Sequence, residues 1–283
     1  MSEFARRVAF AAVAIPAVGA VVWLGGLALA ALLGIIAGLA AWEFFRIAEV
    51  RGVNGFKPAG VLLAVAVPIV VHTNFTGATL IPVDAAVLTV LAIFAAAIWR
   101  RGKDRPLSAV AATLFAVIYT GGMLSYGYEL RYHRFVLDAT AGTALVGFPL
   151  VLTWATDTGG YAFGKWFGRT KLMPSVSPGK TMAGAWGGLV LAVAAAWLYT
   201  TYVLHPYAHL ALPLTRLVAF AIIISIVAQI GDLAESVLKR EAGVKDSSRI
   251  IPGHGGVLDR LDSLLFVLPV AYVLLGEMLV VAP

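Results

Sequence analysis

The chain lacks cysteine altogether and is poor in charge, and each shortage removes a class of protein from consideration. Without cysteine there are no disulfides, thiolate zinc sites or cysteine-ligated iron–sulfur clusters, so a bound metal has to rest on oxygen or imidazole ligands. Only 13% of the 283 residues are charged against 60% hydrophobic, about half the roughly 25% charge of a soluble domain. That balance excludes a chain dissolved in water over most of its length. No 20- to 50-residue repeat and no low-complexity linker is visible, which argues against a solenoid or a tethered soluble module.

What is present instead is a succession of apolar runs, at 8–45, 59–71, 85–99, 107–127, 144–163, 184–204, 214–231 and 261–282. Most are long enough for the roughly 20 helical residues that cross a hydrocarbon core of about 30 Å. The first run is too long for one span, and Trp23, Gly25 and Gly26 offer a break near its middle. The expectation is therefore an all-α, polytopic membrane protein of about nine transmembrane helices. A signal peptide is the competing reading of the start, because Arg6 and Arg7 precede an apolar stretch ending in small residues, but the hydrophobicity continues directly into a second span.

The basic residues orient this arrangement. With a cytoplasmic N-terminus, the inner loops hold Arg6 and Arg7; Arg46, Arg51 and Lys57; Arg100, Arg101, Lys103 and Arg105; Lys165, Arg169, Lys171 and Lys180; and Lys239, Arg240, Lys245, Arg249 and Arg260. Of the 21 Lys and Arg residues only Arg131, Arg134 and Arg216 fall on the other side, the bias of the positive-inside rule. The net charge of +6 is thereby explained without nucleic acid as a partner. Residues 1–140 read as a transmembrane scaffold nearly devoid of ionisable groups at membrane depth, with Glu43 at the inner end of the second span. Polar groups interrupt the apolar helices from about residue 150, so 141–283 reads as the catalytic part of one continuous membrane domain.

Four constellations carry chemistry. Asp157 lies inside the sixth span, and an ionised carboxylate in a bilayer costs several kcal/mol unless partnered. Ser177-Pro-Gly-Lys180-Thr181 looks superficially like the end of a phosphate-binding loop, but Pro174 stands where that motif needs glycine and the preceding residues do not read as a strand. Gly-Lys-Thr ahead of an apolar helix still offers an ammonium and backbone N–H groups to an anion. Asp232, Glu235, Ser236 and Lys239 fall at i, i+3, i+4 and i+7 on one face of the eighth helix. Past a turn with three glycines in Ile251-Pro-Gly-His254-Gly255-Gly256, Asp259 and Asp262 share a face at the head of the last span, where a helix N-terminus favours anions. Several carboxylates without cysteine suit a hard cation such as Mg²⁺, and interleaved Lys and Arg suit phosphate. A phosphoryl- or nucleotidyl-transfer site is the preferred reading. A coupled-ion transporter with Asp157 and Asp232 as ligands at broken helices, or a charge cluster at the membrane interface, satisfies part of the same pattern.

Ser236-Val-Leu-Lys239-Arg240, Lys245-Asp-Ser-Ser248 and Pro252-Gly-His254-Gly255-Gly256-Val-Leu-Asp259-Arg260-Leu-Asp262 resemble, without a gap, the signature of phosphatidate cytidylyltransferases, the CDP-diacylglycerol synthases. Asp157-Thr-Gly-Gly-Tyr161, Phe163-Gly-Lys165, Ser177-Pro-Gly-Lys180-Thr181 and Gly231-Asp232 resemble further segments in the family's order, and a Trp42-Glu43 pair precedes them. Met182-Ala-Gly184 departs from the pattern, since relatives often carry a larger or acidic residue there. The resemblance implies transfer of the cytidylyl group of CTP to phosphatidic acid with Mg²⁺, and room for a second cation. The topology above puts these groups at the inner ends of their helices, so the expected location is the cell's inner (plasma) membrane with the site facing the cytoplasm. The resemblance further implies Asp232 and Asp259 as primary metal ligands, with Asp157 and Asp262 completing the shell. Lys239, Arg240, Lys245, Arg260 and Lys180 would hold phosphates. Ser236, His254, Gly255 and Gly256 would line the substrate site and orient CTP. Expected partners are the two substrates, membrane lipids and a second copy of the chain, in a homodimer through the N-terminal spans.

Overall fold

The computed structural model describes residues 3–78, 83–99, 105–248, 250 and 255–282, with side chains given from residue 12 onward except 83 and 84. The side chains of Arg6 and Arg7, and the residues Arg100, Arg101, Lys103, Arg249 and His254, therefore lie outside the described residues.

The long apolar runs fold as helices because in hydrocarbon each backbone N–H and C=O must be satisfied within its own segment. In chain order these are α1 (Glu3–Leu24), α2 (Gly26–Val50), α3 (Lys57–Phe75), α4 (Val83–Trp99), α5 (Pro106–Ala116), α6 (Met123–Arg131), α7 (Ala139–Phe167), α8 (Met182–Tyr199), α9 (Leu214–Glu241) and α10 (Leu258–Met278). A π-helical stretch, Val117–Gly122, joins α5 to α6 as one rod, and another, Thr200–Ala208, extends α8. The protein is an all-α polytopic membrane protein. Among the described residues seven helical segments are long and apolar enough to span a bilayer, and Ala12–Leu24 and Ala85–Trp99 are shorter apolar helices. The break anticipated near Trp23 falls at Gly25, whose φ of +66° only glycine adopts readily.

Contacts divide the chain into two compact units, each drawn from separate stretches of sequence. The first comprises 1–17, 25–128 and 238–260; the second comprises 18–24, 129–237 and 261–283. In the first unit α2 packs on α3, and both meet the π-helical stretch. Glycines set the spacing: a Cβ on Gly38 would stand 2.5 Å from Val65 Cγ2, and one on Gly121 would stand 2.7 Å from the Ala64 carbonyl. Gly55 and Gly60 lie under the ring of Phe45, which is fully buried. Small residues let helix backbones approach where lipid supplies no hydrophobic drive between spans.

In the second unit α7 and α8 pack closely, because Gly159 and Gly160 of α7 face Gly184, Gly187 and Gly188 of α8. Thr156 Oγ1 donates to Ser225 Oγ at 3.0 Å, tying α7 to α9. The segment read from sequence as a loop is instead an antiparallel hairpin, β1 (Lys171–Met173) and β2 (Ser177–Thr181). Its turn is Met173-Pro174-Ser175-Val176, closed by Val176 N–H to Met173 C=O at 3.2 Å, with proline where a β-turn favours it. Strands this short carry too little alternation to be seen in sequence.

The three arginines counted on the side opposite the basic loops have partners in this unit. Arg131 is buried and donates to the carbonyls of Val22 and Trp23 at 2.8 and 3.0 Å, in the last turn of α1. Gly142 leaves room for it, since a Cβ there would meet Arg131 at 2.3 Å. Arg134 bonds the Gly276 carbonyl, and Arg216 reaches the Glu277 and Met278 carbonyls at 3.4 and 3.5 Å, near the end of α10. A guanidinium satisfies carbonyls left over at a helix C-terminus and opposes the dipole there.

The α7–α8 contact yields a paired prediction. A Cβ at Gly159 would stand 2.4 Å from the Gly187 carbonyl, whereas one at Gly160 meets nothing closer than 3.8 Å. Gly159→Ala is expected to destabilise the protein by about 1–3 kcal/mol and Gly160→Ala to leave it nearly unchanged, measured as thermal unfolding of each variant in detergent. Equal melting temperatures would contradict the packing described.

Candidate active site

In the second unit the glycine-mediated approach of α7 to α8 leaves a cavity of about 330 Å³ beside the helices' polar ends. Asp157 and Tyr161 reach it from α7, Gly179, Lys180 and Thr181 from β2, and Gln229 and Asp232 from α9. Lys180 Nζ lies 2.6 Å from Asp232 Oδ2. Thr181 explains why β2 ends and α8 begins there: its Oγ1 accepts from Gly184 N–H at 3.1 Å as the N-cap. Gln229 donates to the Ala185 carbonyl at 3.4 Å, holding α9 against α8, and Ser236 Oγ stands 3.5 Å from Asp232 Oδ1. The hairpin thus delivers an ammonium, and two helices deliver carboxylates, to one open concavity.

A second cluster lies wholly within the first unit. Lys239 of α9 donates to Asp259 Oδ1 at 2.7 Å, with the two side chains only 11% and 7% exposed. Asp259 Oδ2 accepts from Ser247 N–H at 3.0 Å, Ser247 Oγ at 2.9 Å and Gly256 N–H at 2.8 Å. The partner that the sequence did not assign is Glu43 of α2, which has no exposed surface. Its carboxylate accepts from Ser247 Oγ at 3.0 Å, from Ser248 Oγ, and from the N–H groups of Val257 and Leu258 at 3.0 and 2.7 Å. The last two are orphan donors at the start of α10, the place where a carboxylate is best held. A signal for Glu43 existed, an ionisable residue within an apolar span, but periodicity could not say whether it met lipid headgroups or protein.

Among the remaining nominated residues, Gly255 adopts φ +83° and Gly256 has no room for a side chain, since a Cβ would lie 2.0 Å from Ser247 Oγ. Arg240 is exposed and donates to the Val244 carbonyl at 2.9 Å. Lys245 lines a cavity of about 790 Å³ with Arg46, Glu49, Ser247 and Ser248, and Arg260 is exposed. Asp262 accepts from Ser263 N–H at 2.6 Å, and its carbonyl packs on Gly231. Among the described residues no group of three or more Asp, Glu or His is gathered in a form that could hold a metal by protein ligands alone. Asp157 and Asp232 on one cavity fit Mg²⁺ nonetheless, because that ion takes one or two carboxylates and fills its other positions with water and substrate phosphate.

The sequence profile of the cytidylyltransferase family matches residues 5–277. The chain belongs to that family. The phosphatidate cytidylyltransferase of Staphylococcus aureus (strain COL) is 34% identical over 254 residues, which cover 89% of this chain and 91% of the relative. Those of Bacillus subtilis (strain 168) and Staphylococcus epidermidis (strain ATCC 35984) are 42% and 40% identical over 161 and 165 residues. In these two cases the chain spans just over half the relative's length, 56% and 58%. The family match takes in both clusters, including α2 and its Glu43.

The two ion pairs differ in burial, and so in what their loss costs. Removing the ammonium of Lys239 with Lys239→Met strands Asp259 among backbone donors and is expected to cost about 2–4 kcal/mol. Lys180 and Asp232, with side chains 24% and 33% exposed, are partly solvated, and Lys180→Met is expected to cost under about 1 kcal/mol. Unfolding of both variants in detergent checks the ordering, and a larger loss for Lys180→Met would overturn it.

Proposed function

We propose that the protein transfers the cytidylyl group of CTP to phosphatidic acid, giving CDP-diacylglycerol and pyrophosphate. The observation that carries this reading is the set of Asp157, Asp232 and Lys180 on the wall of one cavity, in a chain of the cytidylyltransferase family. A phosphate oxygen of the lipid attacks the α-phosphorus of CTP, the bond from that phosphorus to the bridging oxygen breaks, and pyrophosphate leaves with the electron pair. The attacking phosphate monoester is already ionised at neutral pH, so no general base has to remove a proton from it. The obstacle is the meeting of two polyanions, and catalysis reduces to positioning and charge neutralisation.

Asp157 and Asp232 are the carboxylates we assign to Mg²⁺, which would supply positive charge to offset that of the substrate phosphates. Lys180 sits where it can exchange its Asp232 contact for a phosphate oxygen. Asp259 and Asp262 are each a further candidate carboxylate for a cation, and use of Asp259 Oδ1 requires exchange of the Lys239 ammonium for the ion. Lys239, Arg240, Lys245 and Arg260 are the cations we assign to substrate phosphates. The asymmetry of basic residues supports a site on the cytoplasmic face of the plasma membrane, where CTP is dissolved and the lipid headgroup is reached from the inner leaflet.

Purified protein in detergent or nanodiscs is expected to release pyrophosphate from CTP only when phosphatidic acid and Mg²⁺ are both present, with activity lost on chelation and restored by added Mg²⁺. Asp232→Asn is expected to lower kcat/KM more than about 100-fold with an unchanged unfolding transition. Normal turnover by that variant would remove Asp232 from the metal site, and use of an isoprenoid phosphate in place of phosphatidic acid would reassign the acceptor.

A further inference from the structure

We infer that Glu43 is a positioning residue of the reaction, acting on Asp259 and Lys239 through Ser247; the inference rests on the cytidylyl-transfer reading above. Residues 1–140 read as scaffold from sequence, yet Glu43 is buried without exposure and, among the described residues, accepts four hydrogen bonds, from residues 247, 248, 257 and 258. Those residues flank Asp259 on both sides of the glycine turn. None of the four donors is a cation, so the carboxylate is held by two hydroxyls and two backbone N–H groups.

The contact with the ion pair is a single hydroxyl. Ser247 Oγ stands 3.0 Å from Glu43 Oε2 and 2.9 Å from Asp259 Oδ2, and a serine hydroxyl has one proton to give. When the hydroxyl donates to Glu43, Asp259 Oδ2 retains the N–H groups of Ser247 and Gly256 and has a lone pair open to another donor or a cation. When it donates to Asp259, Glu43 keeps its other three donors. The glycine at 256 is dictated by this arrangement, because a Cβ there would lie 2.0 Å from Ser247 Oγ and 2.6 and 2.7 Å from the two Glu43 oxygens. Glu43 therefore fixes where Asp259 sits, through the start of α10, and how strongly it accepts, through Ser247.

Two variants separate these roles from a contribution to folding alone. Glu43→Gln keeps the volume but turns an amide nitrogen toward donors, leaving buried N–H or O–H groups without an acceptor. It is expected to lower kcat about 10- to 100-fold with KM for CTP and for phosphatidic acid nearly unchanged. Backbone hydrogen exchange at Val257 and Leu258 should quicken about tenfold or more, with α7 unaffected. Ser247→Ala removes the shared hydroxyl, and should lower kcat while the protection of Val257 and Leu258 persists, since Glu43 still accepts from both. Wild-type kcat in both variants would overturn the inference. So would a loss of activity that merely follows the fraction of unfolded protein. If the wild-type protein forms no CDP-diacylglycerol, the proposed reaction fails, while exchange at Val257 and Leu258 in Glu43→Gln still decides whether Glu43 holds this segment; unchanged exchange would sink that as well.

Discussion

A charge withdrawn from water must be met by the protein, and in a chain this apolar that requirement organises the surroundings of its buried charges. Glu43 is met by four donors, Asp259 by an ammonium, a hydroxyl and two backbone N–H groups, and Arg131 by carbonyls at a helix end. None of these groups could be buried alone, because an isolated ion in a low-dielectric interior would neutralise or expose itself. The partners arrive from distant sequence: Glu43 and Leu258 are separated by 215 positions. Satisfying one carboxylate therefore ties α2 to residues 247 and 248 and to the start of α10.

Close packing supplies the second requirement, since hydrogen bonds of 2.7–3.0 Å tolerate little movement of the elements that carry them. Glycine provides it in both units by a common device, a missing Cβ where another backbone or ring passes. On α7 and α8 the device brings Asp157 and Lys180 to the rim of one cavity. Beside Glu43 it lets the Gly256 backbone lie against two carboxylates and a hydroxyl. A larger residue at either place would widen the gap that the polar groups bridge.

The helices were legible in the sequence because apolar length is a strong signal, and the break at Gly25 was legible because glycines interrupt an overlong run. The hairpin before α8 was not, since strands of three and five residues leave no alternation to read. The polar residues themselves stood out as charges in apolar context, which is how Asp157, Asp232 and Asp259 were found. Their pairing was invisible: nothing in the spacing says that Lys180 turns to Asp232 and Lys239 to Asp259. Glu43 was visible as an ionisable residue and unreadable as a partner, because its contacts are 204 to 215 positions away.

Ion pairing of the nominated ligands also bears on how a polyanionic substrate would be received. A carboxylate and an ammonium on the wall of one cavity attract each other, and the 2.6 Å contact of Lys180 with Asp232 is that attraction realised. Partial exposure keeps it weak, since solvated pairs are worth about 1 kcal/mol or less. On the proposed reading, a metal-bound nucleotide would bring both a cation for Asp232 and an anion for Lys180, and so replace one contact with two of matched sign. The buried pair of Lys239 and Asp259 is costlier to open, and a group bound there has to compensate a larger loss.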